Sequence, residues 1–180
     1  MYISDIVTTV PENVAERAPL EQEVYKVFTK LGIHFERVDN DPAASMDECR
    51  DIGEKLGAPV RKDVFLCNRN KTSFFLLVMP EEKAFDTSSF SKKLGVSRMS
   101  FASPEHMMEY LGTKPGSASV VGLLNDVDDY VQLIIDKEVA EAEYFVCNTG
   151  INTTHLKFKT EDLIKKFLPY THHRARIVDL

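Results

Sequence analysis

The chain contains two continuous apolar runs, Val64-Phe65-Leu66-Cys67 and Phe74-Phe75-Leu76-Leu77-Val78-Met79. The polar residues 68–72 separate them, a pattern that is typical of two strands joined by a hairpin turn. Because the apolarity is continuous rather than alternating, both faces of the sheet are expected to be covered. The two runs therefore predict the central strands of a sheet that lies between helices.

Helix and strand patterns continue on both sides of this hairpin. Amphipathic spacing predicts a first helix over residues 20–31. Capping residues predict four more helices: one begins at the capping box Ser45/Glu48, one at Asp86 or Ser88, one at Ser103-Pro104, and the last runs from Thr160 to Pro169. Further strands are predicted over 33–38, 98–101, 130–136, 144–147 and 155–158, with an edge strand at Ile177-Val178. Residues 19–180 are therefore predicted to form a single α/β domain, a mixed central β-sheet surrounded by helices, and residues 1–18 an extended lead-in.

Composition sets limits on the class of protein. The chain has 180 residues, of which 43% are hydrophobic and 28% charged, as in ordinary soluble globular domains. There is no run of eighteen apolar residues and no basic-then-apolar N-terminus, so neither a membrane span nor a signal peptide is expected. Three cysteines lie far apart without a CxxC pair, which favours reduced thiols and a cytoplasmic location. The net charge of −6 argues against non-specific coating of nucleic acid, although basic residues do cluster locally.

A glycine-containing stretch follows the predicted fourth helix: Gly116-Ser117-Ala118-Ser119-Val120-Val121-Gly122-Leu123-Leu124-Asn125-Asp126. Small side chains beside glycine let a ligand approach the backbone closely. The stretch is interpreted as the wall of a binding pocket. A buried strand with a glycine bulge is the alternative, and these residues alone leave both interpretations open.

Standard catalytic and cofactor motifs are absent from the sequence. It contains no GxSxG elbow, phosphate-binding loop, GxGxxG fingerprint or HExxH pair. The five histidines do not have the spacing of a metal site, and Cys147 near His155 has no third group to orient an imidazole. The residues by themselves predict a pocket-bearing domain without a standard catalytic apparatus, and no metal or cofactor is expected.

Several short segments in order resemble the YbaK-type aminoacyl-tRNA editing domains. The run from Arg61 to Leu66 is similar to the K-N-L-F-L run of that family. The resemblance extends over most of the chain from about residue 20, through residues 98–103, 111–116, 122–126, 152–153 and 161–163. It is strongest for the free-standing members that resemble alanyl-tRNA(Pro) deacylases.

The resemblance implies hydrolysis of a misacylated tRNA. A prolyl-tRNA synthetase cannot strongly reject alanine, since a difference of a few methylenes is worth only ~1–3 kcal/mol, and a second site then removes the wrong amino acid. The expected substrate is Ala-tRNA(Pro), bound by its acceptor end, with prolyl-tRNA synthetase as a partner. Two alternatives stay open: a non-catalytic module that binds a tRNA end or a nucleotide, and a deacylase for serine or cysteine.

The resemblance also assigns roles to residues of this chain. Lys62, Gly116 and Asn148 are expected to be catalytic, with Lys62 holding a phosphate or ribose group or stabilising the oxyanion. The expected substrate-binding residues are Ser117, Ala118, Ser119, Gly122, Asn125, Asp126, Asn152 and Thr153. Within that set, Gly122, Asn125 and Asp126 are expected to support the pocket wall.

Two positions depart from the family pattern. Val120 stands where the family has proline, so the loop loses a residue that would fix φ near −65°. Asn148 aligns with a family histidine. An amide can still form hydrogen bonds, but it cannot carry a proton near neutral pH as an imidazole can. The first departure predicts a pocket of altered shape, and the second predicts altered selectivity or slower catalysis.

Overall fold

The predicted hairpin forms the middle of a five-stranded mixed sheet. In the computed structural model, which describes residues 1–180, the eight strands are β1 (Glu36–Asp39), β2 (Lys62–Cys67), β3 (Phe74–Met79), β4 (Ser100–Phe101), β5 (Val131–Asp136), β6 (Tyr144–Asn148), β7 (Thr154–Lys159) and β8 (Arg176–Val178). The order of the large sheet is β4-β2-β3-β5-β8. Strand β2 is antiparallel to β3 and β4, whereas β3–β5 and β5–β8 are parallel. The mixed sheet and the edge position of β8 confirm the predictions.

The remaining strands form a second sheet. Its order is β1-β7-β6, and both of its pairings are antiparallel. A single parallel bridge between Val60 and Val146 links the two sheets. The main core lies between them, and it buries Phe65 from the large sheet together with Phe145 and Leu156 from the small one. The α/β class is thus confirmed, with the strands divided between two layers.

Helices pack around these layers. They are α1 (Pro19–Leu31), α2 (Met46–Leu56), α3 (Thr87–Leu94), α4 (Pro104–Leu111), α5 (Lys137–Glu141), α6 (Thr160–Asp162) and α7 (Leu168–Tyr170). The capping box predicted at Ser45 and Glu48 is confirmed, because Ser45 accepts from the Glu48 backbone and the Glu48 side chain accepts from the Ser45 backbone. Asp86 rather than Ser88 caps α3. Helix α5 has only five residues, too few to show a helical period in the sequence.

The C-terminal helix differs from its prediction at both ends. Lys159 is the residue before the first turn, and the hydroxyl of Thr160 is buried without a hydrogen bond, so the predicted Thr160 cap is wrong. The helix also continues past Pro169, since a π turn over Leu163–Phe167 connects α6 to α7. Proline has no N–H to donate to the carbonyl four residues earlier, which makes a wider turn before it favourable.

The glycine-containing stretch is not a strand. Residues Val120–Asn125 form a 3₁₀ helix, which corrects the interpretation as a buried strand with a bulge. Gly122 donates its N–H to the carbonyl of Ser119, three residues earlier. A Cβ atom at Gly122 would lie 2.7 Å from the carbonyl oxygen of Leu111. The glycine is therefore needed for close packing of the 3₁₀ helix against α4.

The N-terminal residues 1–18 are hydrogen-bonded to the small sheet. Isolated bridges pair Ile3 with Asn40 and Val7 with Arg37. Arg17 Nη1 and Nη2 donate to the Asp39 carboxylate at 2.8 and 3.2 Å, as a bidentate ion pair.

None of the helices has the length and apolarity that crossing a lipid bilayer would require.

Asp126 joins three parts of the chain at the end of the 3₁₀ helix. Its carboxylate accepts from the backbone N–H groups of Tyr130 at 3.0 Å and Val131 at 2.7 Å, and it lies 2.8 Å from Nε2 of His173. Asp126 and His173 are both buried. One carboxylate therefore fixes the end of the glycine-containing stretch, the first residue of β5 and the C-terminal tail.

Replacing this carboxylate tests its structural role. The substitution Asp126→Ala leaves two backbone N–H groups and a buried imidazole without an acceptor, so we expect the free energy of unfolding to fall by about 3–5 kcal/mol. Urea denaturation followed by circular dichroism measures the loss. The exposed Asp128 provides the matched control, because Asp128→Ala should change the same quantity by less than about 0.5 kcal/mol. Equal effects of the two substitutions would contradict the role assigned to Asp126.

Candidate functional site

A cleft of about 340 Å³ opens between the two sheets. Its lining comes from β2, the loop before α2, the segment before the 3₁₀ helix, and the facing ends of β6 and β7. The lining residues are Ala43, Ala44, Ser45, Met46, Cys49, Val60, Arg61, Lys62, Asp63, Val64, Phe65, Phe101, Ala102, Met107, Gly116, Ala118, Asn148, Asn152 and His155. Apolar side chains form most of the wall, and a few polar groups converge on the space, as in many small-ligand sites.

The cleft exists because β4 is too short to cover β2. Strand β4 pairs only with Leu66 and Cys67, and the N–H of Ala102 then donates to the carbonyl of Phe65 at 3.0 Å. Backbone groups of every second residue point to the same side of a strand. The N–H and C=O of Asp63 therefore face the cleft at an unpaired sheet edge. A ligand can reach backbone groups there that would otherwise belong to a neighbouring strand.

The structure brings together five of the residues predicted for the site. Lys62, Gly116, Ala118, Asn148 and Asn152 all line the cleft. Asn148 is tied to the glycine-containing stretch, since its backbone carbonyl accepts from the hydroxyl of a serine in that stretch at 2.9 Å. Its amide Nδ2 also lies 3.4 Å from the carbonyl of Ala118. The predicted wall and the predicted loop are thus neighbours.

Lys62 lies at the start of β2 and is half-buried. Its Nζ donates to the carbonyl of Lys83 at 3.3 Å and forms no ion pair with a carboxylate. A lysine whose charge is not neutralised by the protein remains available to an anionic or developing negative group of a ligand.

Six of the predicted residues lie outside the cleft lining: Ser117, Ser119, Gly122, Asn125, Asp126 and Thr153. Several of their polar groups are hydrogen-bonded within the protein. Ser119 donates to Asn148, Asn125 Nδ2 donates to the carbonyl of Leu111 at 2.9 Å, and the carbonyl of Thr153 accepts from the Asn40 backbone. Such contacts hold the wall in place rather than reach a bound molecule.

Asp63 is a cleft residue that the sequence patterns did not single out. Both of its carboxylate oxygens are inaccessible to solvent and neither has a hydrogen-bond partner, although the residue as a whole is partly exposed. Burial raises the pKa of the carboxyl from 3.8 to about 8, and the nearby backbone N–H of Val120 lowers that pKa only in part. The available signal was the position itself, because Asp63 stands where the K-N-L-F-L run has asparagine.

His155 is the second cleft residue that was missed. It pairs with Asn148 across β6 and β7, so the two side chains share one face of the small sheet. Its Nδ1 lies 2.9 Å from Oδ1 of Asn40. Burial lowers the pKa of His155 to about 4, which keeps the imidazole neutral at physiological pH. A neutral imidazole therefore lies across from Asn148 on the neighbouring strand.

The thiol–imidazole pair considered from the sequence is not formed. Cys147 pairs with Leu156, so its side chain points to the face of the small sheet opposite to that of His155. Burial and the neighbouring Asp63 raise the pKa of the Cys147 thiol. The thiol is a core group and stays protonated.

Two other places in the molecule bring charged or polar side chains together. A wider groove of about 890 Å³ lies along β1, β7 and the C-terminal helix, where mostly charged side chains line it, and it contains none of the predicted residues. Asp126, Asp129 and His173 place oxygen and nitrogen atoms within 4.8 Å of one another. Both ring nitrogens of His173 are already bonded within the protein, to Asp126 and Thr171. Of the residues with buried polar side-chain atoms that lack a hydrogen bond, Arg61 and Asp63 line the cleft, whereas Thr113, Thr149 and Thr160 lie elsewhere.

Comparisons with known proteins give a consistent result. The family model of the aminoacyl-tRNA editing domain matches residues 41–166. The chain is 25% identical to the prolyl-tRNA editing protein ProX of Acetoanaerobium sticklandii over 145 residues, which are 81% of this chain and 88% of that protein. It is 29% identical over 114 residues to the proline–tRNA ligase of Methylobacillus flagellatus, covering 60% of this chain and 19% of the ligase. The solved structure of a protein proposed to be a trans-editing enzyme for prolyl tRNA synthetase shares the fold, with a TM-score of 0.67, 15% identity, and coverage of 91% of this chain and 98% of that one.

The raised pKa of Asp63 predicts how stability changes with pH. Between the unfolded carboxyl value of about 3.9 and the folded value of about 8, the unfolded chain has lost the proton that the folded chain keeps. Stability is therefore lost as pH rises through this window, by at most ~1.4 kcal/mol per pH unit, and the loss stops above the folded pKa. The uncharged amide in Asp63→Asn removes this dependence.

We therefore expect the Asp63→Asn variant to gain stability relative to the wild type as the pH is raised through the window, and to gain no more above it. Urea denaturation at a series of pH values measures the difference. Asp128→Asn, which changes an exposed carboxylate, should show no such trend. A constant difference between Asp63→Asn and wild type would show that the Asp63 carboxyl does not titrate at a raised pKa.

Proposed function

Because the chain belongs to the family of aminoacyl-tRNA editing domains, we propose that it hydrolyses the ester bond of a misacylated tRNA(Pro), with alanine as the amino acid removed. The observation that carries this proposal is the cleft, whose lining includes Lys62, Gly116 and Asn148. The similarity to a prolyl-tRNA editing protein and to part of a proline–tRNA ligase supports tRNA(Pro) as the tRNA. Such a protein would act in the cytoplasm beside the synthetase whose errors it corrects.

The size of the cleft suits a small amino acid. Its volume of about 340 Å³ lies near the lower end of the range for small-molecule sites. Val64, Phe65 and Met107 give it apolar walls. A synthetase pocket distinguishes proline from alanine by only ~1–3 kcal/mol, so a second site that excludes larger side chains is useful. Alanine is therefore the expected occupant, and serine and cysteine are close alternatives.

In the proposed reaction, water attacks the carbonyl carbon of the ester. The resulting tetrahedral intermediate carries negative charge on its oxygen, and the bond to the ribose oxygen then breaks. The proton released by water ends on the ribose oxygen, so the products are a free amino acid and an intact tRNA. The ester is already activated, and modest stabilisation of the intermediate is enough for useful rates.

Lys62 and the glycine-containing stretch take the main roles in this reaction. The Lys62 ammonium holds a phosphate or ribose group of the acceptor end, or it stabilises the oxyanion. Gly116, whose φ is +86° and whose surroundings leave open space where a Cβ would be, allows the tRNA end to approach the backbone. The amide of Asn148 orients the ester, while the proton moves through solvent because an amide cannot carry it.

A second function is favoured by the hydrogen bonds of Asn148. Its Oδ1 accepts from the backbone N–H of Gly150 at 2.8 Å, so part of the amide is committed to its own loop. A cleft in which this side chain only shapes the wall would bind a tRNA end or a nucleotide without hydrolysing it. Hydrolysis assays separate the two functions.

The first assay follows ester loss from Ala-, Ser- and Cys-tRNA(Pro), with correctly charged Pro-tRNA(Pro) as the control substrate. We expect Ala-tRNA(Pro) to be hydrolysed fastest and Pro-tRNA(Pro) to be spared, since an editing site must leave the correctly charged tRNA intact. Acid-gel separation of charged and uncharged tRNA measures both. Binding of all four without hydrolysis of any would rule out the deacylase and leave the binding module.

The second assay tests Lys62. We expect Lys62→Ala to lower kcat/KM for Ala-tRNA(Pro) by about 10²–10³-fold, the effect of removing one group that stabilises a developing oxyanion. Lys26→Ala removes an exposed lysine on α1 outside the cleft, and it should retain the wild-type rate. An unchanged rate in Lys62→Ala would exclude the role given to this lysine.

A further inference from the structure

We propose that Nε2 of His155 holds the water molecule that attacks the aminoacyl ester. The inference deepens the proposed function, on which it rests for the reaction. It is carried by a ring nitrogen of a cleft residue that has no hydrogen-bond partner within the protein and is still accessible to solvent. Hydrolysis needs a group that orients the nucleophile, whereas Lys62, Gly116 and Asn148 act on the tRNA end and its ester.

Asn40 fixes the tautomer of His155. The amide nitrogen of Asn40 donates to two backbone carbonyls, that of Asp41 at 2.7 Å and that of Asn152 at 2.9 Å. The Oδ1 atom of the same amide, which can only accept, therefore faces Nδ1 of His155 at 2.9 Å. The proton of the neutral imidazole is then on Nδ1. Nε2 consequently presents a lone pair, so it accepts a hydrogen bond and cannot donate one.

The surroundings of His155 keep Nε2 unprotonated. Burial lowers the pKa of the imidazole to about 4, and the ion pairs that histidine forms in this chain involve His173 alone. The lone pair is therefore available at neutral pH. It accepts a hydrogen bond from water without keeping the proton, which passes through solvent to the ribose oxygen when the ester bond breaks.

The small opening at Nε2 favours water over the groups of the substrate. His155 is only 2% exposed, so a small part of its ring is open to the cleft. A ribose or an amino acid carries its donors on a larger frame, whereas water reaches such an opening easily. A water held there needs roughly two to four polar partners. Asn148, directly across from His155 on β6, and Asn152 bring amide groups to the same cleft.

The two sides of the cleft then have different tasks. Lys62 lies on β2 of the large sheet, and His155 lies on β7 of the small one. An ester bound between the sheets is attacked from the His155 side. The charge that develops on its oxygen meets Lys62 and the backbone on the other side. The nucleophile and the oxyanion are thus kept apart.

A ring without an acceptor tests the proposal. His155→Phe keeps a planar ring and removes both nitrogens, so we expect kcat for Ala-tRNA(Pro) to fall by about 10²-fold, the lower end of the range for a group that handles the proton of a nucleophile. KM should stay near its wild-type value, because His155 contacts the water and not the substrate. His34 is exposed and lies outside the cleft, and His34→Phe should keep both constants as the matched control.

A binding measurement separates this role from a structural one. Adenosine that carries alanine through a stable 3′-amide is titrated into the wild type and into His155→Phe. We expect equal Kd values, because the variant loses only the partner of the water. A Kd weakened as much as kcat would show that His155 contacts the substrate or supports the cleft, and it would overturn the proposal. An unchanged kcat in His155→Phe would also overturn it and would leave the deacylase function intact.

The tautomer is measured in the wild type, so this part of the test does not depend on the folding of a variant. Nitrogen NMR spectra of protein labelled at histidine should show His155 with a proton on Nδ1 and none on Nε2 at neutral pH. A proton on Nε2 overturns the proposal whatever the rate of hydrolysis. If this tautomer is present and the wild type hydrolyses none of the esters, the deacylase function fails, and the role given to the water fails with it.

Discussion

The cleft depends on the buried carboxylate of Asp126. Its contacts with two backbone N–H groups and with His173 join the end of the 3₁₀ helix to the start of β5 and to the C-terminal tail. Because β5 is a central strand, the position of the 3₁₀ helix is set by the large sheet rather than by its own short hydrogen-bond pattern. The segment that precedes this helix reaches Asn148 only from that position, through the hydroxyl of Ser119.

Three positions that are expected to differ from the family pattern lie in or beside this cleft. Val120 retains an N–H that proline would lack, and this N–H faces the carboxyl of Asp63, which stands where the K-N-L-F-L run has asparagine. Asn148 stands where the resemblance places a histidine, and the neutral imidazole of His155 lies across from it on β7. Changes that look separate along the chain are neighbours in space.

Local patterns in the sequence predicted local structure well. The hairpin of β2 and β3 and the capping box at Ser45 depend on neighbouring residues, so they were found. The division into two sheets depends on pairing between distant segments, which periodicity does not report. The 3₁₀ helix was missed because its conformation is imposed by contacts of Gly122 and Asp126 with distant residues. Asp63 was missed for a similar reason, since only the folded chain buries its carboxyl.

The short length of β4 has a consequence for how the protein responds to a ligand. On the N-terminal side of Phe65, the backbone N–H and C=O of Asp63 lie at the edge of β2, where no neighbouring strand forms hydrogen bonds with them. A molecule that fills the cleft thereby takes the place of the absent part of a strand. The stability of the hydrogen bonds in the central sheet then depends on whether the cleft is occupied. Slower hydrogen exchange of the β2 amides on addition of a ligand would therefore report binding.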